Sequence, residues 1–459
     1  MEFIGRESEL GLLNNLIRSN KFESALIYGR RRIGKSELIK QCLEANNVTS
    51  IYYESKQTSE QNNLISFSSV VSYSLKMPPL AFENIEKLLD FIFLQAINQK
   101  IILVIDEYPF LKAKVEGMDS ILQTLIDKYS NSSKLKLIIC GSYIQVMKNL
   151  LSVHNPLYGR LKNSIDVLPM NYYDSAKFYN NFSYTDKVTL YSVFGGIPYY
   201  NSLIDNNKTV KENIIDLIAS KDSSLFQEIP SFLNTEISRI VNANEVFEVL
   251  GKGYHKFIDI VDKSHVSSAP SAIDVLDQLI NLRLVEKRLP INDENNRKKS
   301  GYYICDNLAL FYYKYIFTNQ SIINVMNKND FFDSFIKEDL YSMFVPKQFE
   351  NICKEYLIKE NIAGKLDTPF YKIGTYYYDD PKNKTNGEFD VVTLDSKGYI
   401  FYECKYKDKA INNQTIYKEI QQVNSTGLNC YKYGFFSKSG FIEKSDDNII
   451  QYTLEDLYR

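Results

Sequence analysis

A glycine-rich segment near the amino terminus combines the residue types that bind phosphate groups. Residues Gly29 to Ser36 read GRRRIGKS and match the pattern G-x-x-x-x-G-K-[ST]. The segment follows a short apolar stretch, ALIYG, and precedes ELIKQCLEA, whose apolar residues have helical spacing. Glycines let backbone N–H groups turn toward an anion, and the amino terminus of a helix adds its positive dipole end. The sequence therefore predicts a polyphosphate site between a strand and a helix.

This predicted site gives a role to each residue type in the segment. Lys35 is expected to reach the β- and γ-phosphates of ATP, and the Ser36 hydroxyl to ligate Mg²⁺. The three consecutive arginines either surround the polyphosphate, are solvated loop charges or contact another domain, and the sequence leaves these alternatives open. The other positions expected to bind the nucleotide are Gly29, Arg30, Arg31, Arg32, Ile33, Gly34 and Glu37.

Two further apolar runs end in polar residues that could contribute to the same nucleotide site. Ile101–Ile105 is continuously apolar, as expected of a parallel strand buried on both faces, and Asp106 and Glu107 follow it. Ligands bind at the carboxyl ends of the strands in open α/β sheets. Asp106 is therefore predicted to hold the water shell of Mg²⁺, and Glu107 to polarise the attacking water. A third strand, KLKLIICGS, ends at Ser142, which either senses the γ-phosphate or belongs to a plain turn.

A second set of charged residues, in GEFDVV and YECKY, lies near the carboxyl end of the chain. Side chains alternate along a strand, so Glu403 and Lys405 share one face, and the preceding strand carries Asp390. If the two strands pair as a hairpin, these three side chains converge. The carboxylates would then bind Mg²⁺, and the ammonium would orient a hydrolytic water or neutralise a phosphate. Cross-strand charge pairs on a solvated face are the structural alternative.

The region between these two clusters predicts helices and one hairpin. Residues 171–235 are expected to be helical, and Asn244–Ile291 to form three helices. The last of these, in SSAPSAIDVLDQLINLRL, has the start and the spacing of a recognition helix. LVEKRLPI and YYICDN, on either side of a polar loop, predict a hairpin wing. Gly251–Ser300 contains nine Lys or Arg and seven Asp or Glu, so its charge does not decide between DNA binding and protein packing.

The composition is that of a globular protein with several cores. The chain has 459 residues, and roughly two to four domains are expected. A net charge of −2 is not typical of a uniformly basic nucleic-acid binder. The six cysteines form no CxxC pair, so no structural zinc site is expected, and their scatter fits a reducing cytoplasm. Neither a signal peptide nor a membrane span is expected.

The order of motifs in the first part of the chain resembles a known family. FIGRESEL, the glycine-rich segment, LVIDEYPFL, IICGS, PLYGRL and FGGIPYY follow one another over residues 1 to about 320. In this the chain resembles the archaeal-type P-loop ATPases of the STAND/AAA+ grouping. The resemblance implies that Gly5, Arg6 and Glu7 lie near the adenine and that Pro198 lies by the base. It also offers Arg160 as an arginine finger, with a structural salt bridge as the equal alternative.

The second cluster resembles the PD-(D/E)XK nuclease superfamily over roughly residues 345–435. The resemblance implies that Glu350 is a helix carboxylate at the same metal site as Asp390 and Glu403. It also implies a polar contact from a later helix, at Gln421 or Gln422.

These features predict an α/β protein with a P-loop NTPase parallel sheet, a helical lid, a winged helix-turn-helix and a C-terminal α/β restriction-endonuclease-like domain. The expected ranges of these four parts are 1–170, 171–235, 236–318 and 319–459. The leading hypothesis is a cytoplasmic ATPase that uses ATP and Mg²⁺ to drive conformational change and acts on double-stranded DNA. The alternatives are a metal-dependent DNA endonuclease regulated by ATP and a non-catalytic, ATP-dependent signalling scaffold. A homo-oligomer is a candidate assembly, and no membrane partner is expected.

Overall fold

The computed structural model describes residues 3–237, 240–294, 299–380, 385–444, 446 and 448–459. The chain divides into two compact units, Met1–Pro169 and Met170–Arg459. Among the described residues, no helix combines the length and the apolar character that crossing a bilayer requires.

The first unit alternates helices and strands around one parallel sheet. Its strands are β1 (Glu23–Tyr28), β2 (Thr49–Glu54), β3 (Ile101–Asp106), β4 (Lys136–Gly141) and β5 (Asn163–Asp166). Its helices are α1 (Glu7–Arg18), α2 (Lys35–Glu44), α3 (Glu60–Ser74), α4 (Ile85–Asn98), α5 (Tyr108–Lys112), α6 (Met118–Tyr129) and α7 (Ile144–Asn149). The strand order is β2-β3-β4-β1-β5 and every pairing is parallel. The predicted parallel sheet is therefore confirmed.

Burial on both faces explains why the central strands are continuously apolar. All six residues of β3 and all six residues of β4 are buried. A parallel strand covered by helices on both sides has no solvent face, so its sequence does not alternate. β4 lies between β1 and β3. The carboxyl ends of these three strands therefore lie side by side at one edge of the sheet.

The second unit begins with helices and one small hairpin. Its first helices are α8 (Tyr172–Ser175), α9 (Tyr184–Phe194), α10 (Pro198–Ser202), α11 (Val210–Leu217), α12 (Glu228–Ile237), α13 (Ala243–Gly251), α14 (Phe257–Lys263) and α15 (Ala269–Asn281). The antiparallel strands β6 (Val285–Arg288) and β7 (Gly301–Ile304) follow. The three predicted helices and the hairpin after them are therefore present. The helices that come next are α16 (Asn307–Phe311), α17 (Gln320–Ile323), α18 (Lys328–Phe335), α19 (Lys337–Asp339) and α20 (Val345–Ile362).

A mixed sheet ends the chain. Its elements are β8 (Lys372–Asp380), β9 (Thr385–Leu394), β10 (Tyr399–Lys405), α21 (Asn413–Ser425), β11 (Cys430–Ser437), β12 (Ile449–Thr453) and α22 (Leu454–Leu457). The strand order is β12-β11-β10-β9-β8. β8, β9 and β10 pair antiparallel, whereas β10, β11 and β12 pair parallel. The predicted β9–β10 hairpin is thus confirmed.

The segment that follows β6 is attached to the edge strand of this mixed sheet. The Ile291 N–H donates to the Thr375 carbonyl at 2.8 Å. The Asn292 side chain exchanges two hydrogen bonds with the Tyr377 backbone, at 2.8 and 3.1 Å. Ile291 is 7% exposed and belongs to the same apolar core as Val392 and Phe401. The predicted wing therefore packs against the C-terminal sheet.

Candidate functional site

The loop between β1 and α2 has the backbone geometry of an anion site. Arg32 and Gly34 have positive φ angles, of 64° and 89°. A Cβ at Gly29 would lie 2.4 Å from the Val167 carbonyl oxygen, so only glycine fits there. Among the described residues, no side chain caps the amino terminus of α2. Its first-turn N–H groups and dipole therefore suit a phosphate group.

Lys35 and Ser36 lie where the predicted chemistry requires them. The Lys35 ammonium is buried and donates to the Gly29 and Arg30 carbonyls at 2.9 and 3.0 Å. The Ser36 hydroxyl donates to Asp106 Oδ2 at 2.7 Å. A hydroxyl and a carboxylate oxygen at one point are the hard ligands that Mg²⁺ prefers, so these residues fit the ion.

Tyr52 is a member of this site that the sequence analysis missed. Its hydroxyl donates to the same Asp106 oxygen as Ser36 does. Burial, reinforced by Asp106, raises the pKa of Tyr52, so the phenol is a neutral donor. Tyr52 pairs with Val104 across β2 and β3. The contact between the phenol and Asp106 depends on this strand register, and no local sequence motif predicts it.

Glu107 and Ser142 contact each other at the ends of β3 and β4. The Ser142 hydroxyl lies 2.8 and 2.9 Å from the two Glu107 carboxylate oxygens, and its N–H donates to one of them at 3.2 Å. Glu107 has a φ of 48°, a left-handed conformation rare for a non-glycine residue. Ser142 therefore holds the carboxylate that was predicted to polarise water.

Arg6 of the amino-terminal motif contacts the phosphate loop, and Arg31 of the phosphate loop contacts the loop that follows β4. Arg6 donates to the Ile33 carbonyl at 3.2 Å and pairs with Glu9 at 3.1 Å. Arg31 donates to the Tyr143 hydroxyl at 3.1 Å, and its guanidinium carbon lies 5.4 Å from that ring centroid. Arg31 thus contacts the loop that follows β4. The structure places Gly5 and Glu7 at the start of α1 and Glu37 in the first turn of α2.

Arg160 makes the ion pair that was one of its two alternatives. Its guanidinium donates twice to the Asp127 carboxylate, both times at 2.8 Å. Its carbonyl accepts from the Ser24 hydroxyl at 2.7 Å. Ser24 lies at the start of β1, whereas the phosphate loop follows the end of that strand. The residue therefore lies at the opposite edge of the sheet from Lys35.

Pro198 lies in the second unit, where it is the first residue of α10. Its proximity to the nucleotide base stays a prediction.

The C-terminal carboxylates lie in two groups, each with one lysine. Lys347 pairs with Glu350 at 2.8 Å and with Asp390 at 2.9 Å. Lys405 pairs with Glu403 at 2.7 Å and with Glu419 at 2.9 Å. The sequence analysis missed both Lys347 and Glu419. The later predicted contact, Gln422, donates to the Tyr378 hydroxyl at 3.3 Å.

The charges in these two groups are linked. Burial raises the pKa of Glu350 and of Glu403, and Asp390 adds to both shifts while the paired lysines oppose them. The Lys347 ammonium lies between two carboxylates that were predicted to share a metal. Within the described part of the chain, no three His, Cys, Asp or Glu side chains are grouped closely enough to hold an ion. The arrangement described therefore does not fit a divalent cation at this point, because an ammonium is already there.

The exposed face of the predicted recognition helix is acidic. Asp274 and Asp277 are exposed on α15, and the helix contains no Lys or Arg. Phosphate contacts in nucleic-acid complexes come mainly from basic side chains. This helix therefore lacks the charge that a DNA groove attracts.

Comparison with known proteins identifies relatives of both parts of the chain. Residues 3–203 match a family model described as an ATPase domain predominantly from Archaea. Residues 312–419 match a model of archaeal and bacterial proteins of unknown function. The uncharacterized protein MJECL04 of Methanocaldococcus jannaschii is 31% identical over 463 residues, and the alignment covers 99% of each chain.

Solved structures align with this chain at low sequence identity. The Walker-type ATPase PABY2304 of Pyrococcus abyssi aligns with a TM-score of 0.52 and 15% identity, over 68% of this chain and 96% of that one. The ORC2 protein of Aeropyrum pernix, solved as ADPNP-ADP complexes, aligns with a TM-score of 0.49 and 12% identity, over 70% and 95%. The likeness to the Pyrococcus ATPase agrees with the parallel sheet and phosphate loop described above.

Proposed function

We propose, from the premise that this chain belongs to the family of Methanocaldococcus protein MJECL04 and carries an archaeal-type ATPase domain, that it hydrolyses ATP with Mg²⁺ to drive conformational change. The observation that carries the proposal is the 2.7 Å hydrogen bond between Ser36 and Asp106. It brings the hydroxyl of the phosphate loop and the carboxylate at the end of β3 to one point.

Each residue of this site has a proposed role in ATP binding or hydrolysis. Lys35 would exchange its bonds to the Gly29 and Arg30 carbonyls for the β- and γ-phosphates. Ser36 and Asp106 would hold Mg²⁺, which when bound offsets the charge of the phosphate oxygens. Glu107 would orient the attacking water and accept its proton, while Ser142 keeps that carboxylate in position.

The nucleotide site is tested by changing Lys35. Lys35→Ala is expected to abolish tight ATP binding in isothermal titration calorimetry, because it removes the only predicted ammonium contact to the phosphates. Lys40→Ala is the matched control, since Lys40 is exposed on the same helix α2. Normal ATP affinity in Lys35→Ala would contradict the site assignment.

Hydrolysis is tested separately from binding by changing Glu107. Glu107→Gln is expected to retain ATP binding and to lose roughly 10²- to 10⁴-fold in kcat, because general-base contributions are of that size. Glu116→Gln, at an exposed position close in sequence, should leave the rate unchanged. Negligible turnover by the wild-type chain, together with tight ATP binding, would favour the signalling scaffold instead.

The second candidate function is action on DNA by the C-terminal sheet. The observation that favours it is the group of Lys405, Glu403 and Glu419 at the end of β10, next to Asp390 on β9. The acidic face of α15 argues that any DNA contact is made by this part of the chain rather than by the predicted recognition helix.

This candidate is tested by the binding of double-stranded DNA in buffer containing EDTA, because Lys347 already lies between Glu350 and Asp390 where a metal was predicted. Wild-type protein is expected to bind the duplex, and Lys405→Ala to bind it more weakly. Lys407→Ala is the control, because Lys407 is exposed two residues further along the chain. Equal binding by wild type and Lys405→Ala, or none by either, would argue against DNA contact by this group.

A further inference from the structure

A cavity of about 660 Å³ lies within the second unit, and its lining includes Lys347, which pairs with Asp390 of β9. Its walls come from the β6–β7 hairpin, from α20, from β8 and from residues near α13 and α16. Pockets for organic ligands occupy roughly 300–1,000 Å³. The space is therefore large enough for a small molecule or for one unit of a polymer.

The docking of the hairpin fixes the shape of this cavity. Ile291 and Asn292 attach the end of the hairpin strand to β8, and β8 supplies the opposite wall through Ile373, Gly374 and Thr375. The walls are thus joined by backbone hydrogen bonds and by an apolar core, rather than by surface contacts alone. A cavity held in this way is preformed for a ligand.

One side of the cavity carries an ammonium that makes no direct ion pair, although Asp390 and Glu350 lie close enough to act on its charge. Lys354 lines the cavity and makes no ion pair or hydrogen bond with any described residue. The neighbouring cations have partners: Arg288 pairs with Glu286 at 2.6 Å, and Lys347 pairs with Glu350 and Asp390. Burial, with Arg288 and Lys347 adding to it, lowers the pKa of Lys354, while Asp390 and Glu350 oppose the shift. A desolvated charge without a partner is costly, and a bound anion would offset that cost.

The rest of the lining is mixed, with charged and hydrogen-bonding groups among apolar side chains. Glu355 lines the cavity and accepts hydrogen bonds from the Tyr191 hydroxyl and the Tyr172 N–H, both at 2.9 Å. Asn307, also in the lining, donates to the Tyr191 carbonyl at 2.8 Å. Leu310 and Phe344 are among the apolar side chains of the lining. The lining thus suits a ligand with an anionic group, an apolar body and a polar edge.

We propose that this cavity binds a nucleotide unit, with its phosphate on the Lys354 ammonium and its base among the apolar side chains. The unit is either a free nucleotide or the 5′-phosphorylated end of a single strand, because both present the same chemistry. A duplex, about 20 Å across, exceeds the cavity. The proposal is independent of ATP hydrolysis, since no residue of the phosphate loop takes part.

The experiment uses the full-length chain carrying Lys35→Ala, which removes tight binding at the phosphate loop, in buffer containing EDTA. AMP and a 5′-phosphorylated thymidine tetranucleotide are titrated separately by calorimetry. At least one of them is expected to bind, and Lys354→Met is expected to weaken that binding at least tenfold. Stronger binding of AMP identifies a free nucleotide, and stronger binding of the tetranucleotide identifies a strand end. Adenosine, which lacks the phosphate, should bind at least tenfold more weakly than AMP.

Two matched variants separate ligand binding from folding. Lys359→Met changes a lysine of α20 that does not line the cavity, and it should leave the affinity unchanged. Lys354→Arg keeps the charge and should restore binding to within about threefold of the parent. The Tm of Lys354→Met should equal or exceed that of the parent, because an unpaired buried ammonium is removed. Equal affinity in Lys354→Met and the parent, or no binding of either ligand by the parent, would overturn the proposal.

Discussion

An arginine such as Arg160 can act as an arginine finger or form a structural ion pair, and its contacts distinguish these two roles. The guanidinium pairs with Asp127, and the side chains of the two residues are 29% and 52% exposed. Ion pairs of this kind contribute about 0–1 kcal/mol to the free energy of unfolding. An arginine finger, by contrast, contributes roughly 10³- to 10⁵-fold to kcat.

Paired substitutions give the test of Arg160. Arg160→Ala and Asp127→Ala are both expected to lower the free energy of unfolding by less than about 1 kcal/mol and to leave kcat within about twofold. Urea denaturation and steady-state ATPase rates measure the two quantities. A large loss of kcat in Arg160→Ala but not in Asp127→Ala would restore the arginine finger, acting on a neighbouring copy of the chain.

Glu355 makes stability depend on pH. Burial raises its pKa from 4.5 to about 7. The pKa of Glu355 is higher in the folded state, so the folded chain binds the proton more tightly than the unfolded chain does. The resulting contribution to the free energy of unfolding is fully present below pH 4.5. It is lost as pH rises through about 7, where the buried carboxylate ionises. The total effect is at most about 3–4 kcal/mol, since one pKa unit corresponds to about 1.4 kcal/mol.

Replacing this carboxyl by an amide should remove the dependence. Glu355→Gln keeps an oxygen that accepts from Tyr172 and Tyr191, and it cannot ionise. Its free energy of unfolding relative to wild type is expected to rise between pH 5 and pH 8. Glu338→Gln, at an exposed position, serves as the control. A constant difference between Glu355→Gln and wild type across this range would contradict the raised pKa.

Local sequence predicted the phosphate loop well because its chemistry is contiguous. Ser36 follows the glycine turn directly, and Asp106 ends an apolar strand, so their meeting needs only that both strands end at the same side of one parallel sheet, with β4 between them. Tyr52 and Glu419 were missed for the opposite reason. Tyr52 reaches Asp106 through the register of β2 on β3, and Glu419 reaches Lys405 through the packing of α21 on β10. Neither contact can be predicted from residues that are close together in the sequence.

At the scale of elements, the β6–β7 hairpin was predicted but its packing partner was not. β8, which receives it, reads KIGTYYYDD and lacks the alternation of apolar and polar residues that marks a half-buried strand. The hairpin segment adds one backbone hydrogen bond and one side-chain pair to that edge, and it covers part of the apolar core. A sheet edge covered in this way is also protected from pairing with another chain.

Removing the buried side chain tests this packing. Ile291→Ala is expected to lower the free energy of unfolding of the second unit by about 2–5 kcal/mol, the usual cost of this truncation in a core. Leu289→Ala is the matched control, because Leu289 is 37% exposed and should lose less than about 1 kcal/mol. Urea denaturation of the full-length chain measures both. Equal losses in the two variants would show that the hairpin is not docked in solution.

At the scale of the whole molecule, the chain joins an ATPase unit to a unit that carries a mixed sheet of undetermined activity. Its net charge of −2 gives no general attraction for nucleic acid, so any DNA binding must come from local groups of basic residues. In the second unit, Arg288, Lys347 and Lys354 line one cavity, which is large enough for a strand end but not for a duplex. Coupling between ATP and DNA is therefore a prediction to be tested on the intact chain.

If DNA acts through the second unit and ATP through the first, each ligand must change the response to the other. Double-stranded DNA is expected to raise kcat for ATP hydrolysis at least threefold at low salt. The stimulation should fall as salt rises, because basic side chains that contact phosphates release counterions from DNA. Lys35→Ala with DNA is the control for contaminating ATPases. Equal ATPase rates with and without DNA at every salt concentration would contradict coupling between the two units. Coupling requires that a ligand bound at one site shifts a conformational equilibrium that also changes the other site.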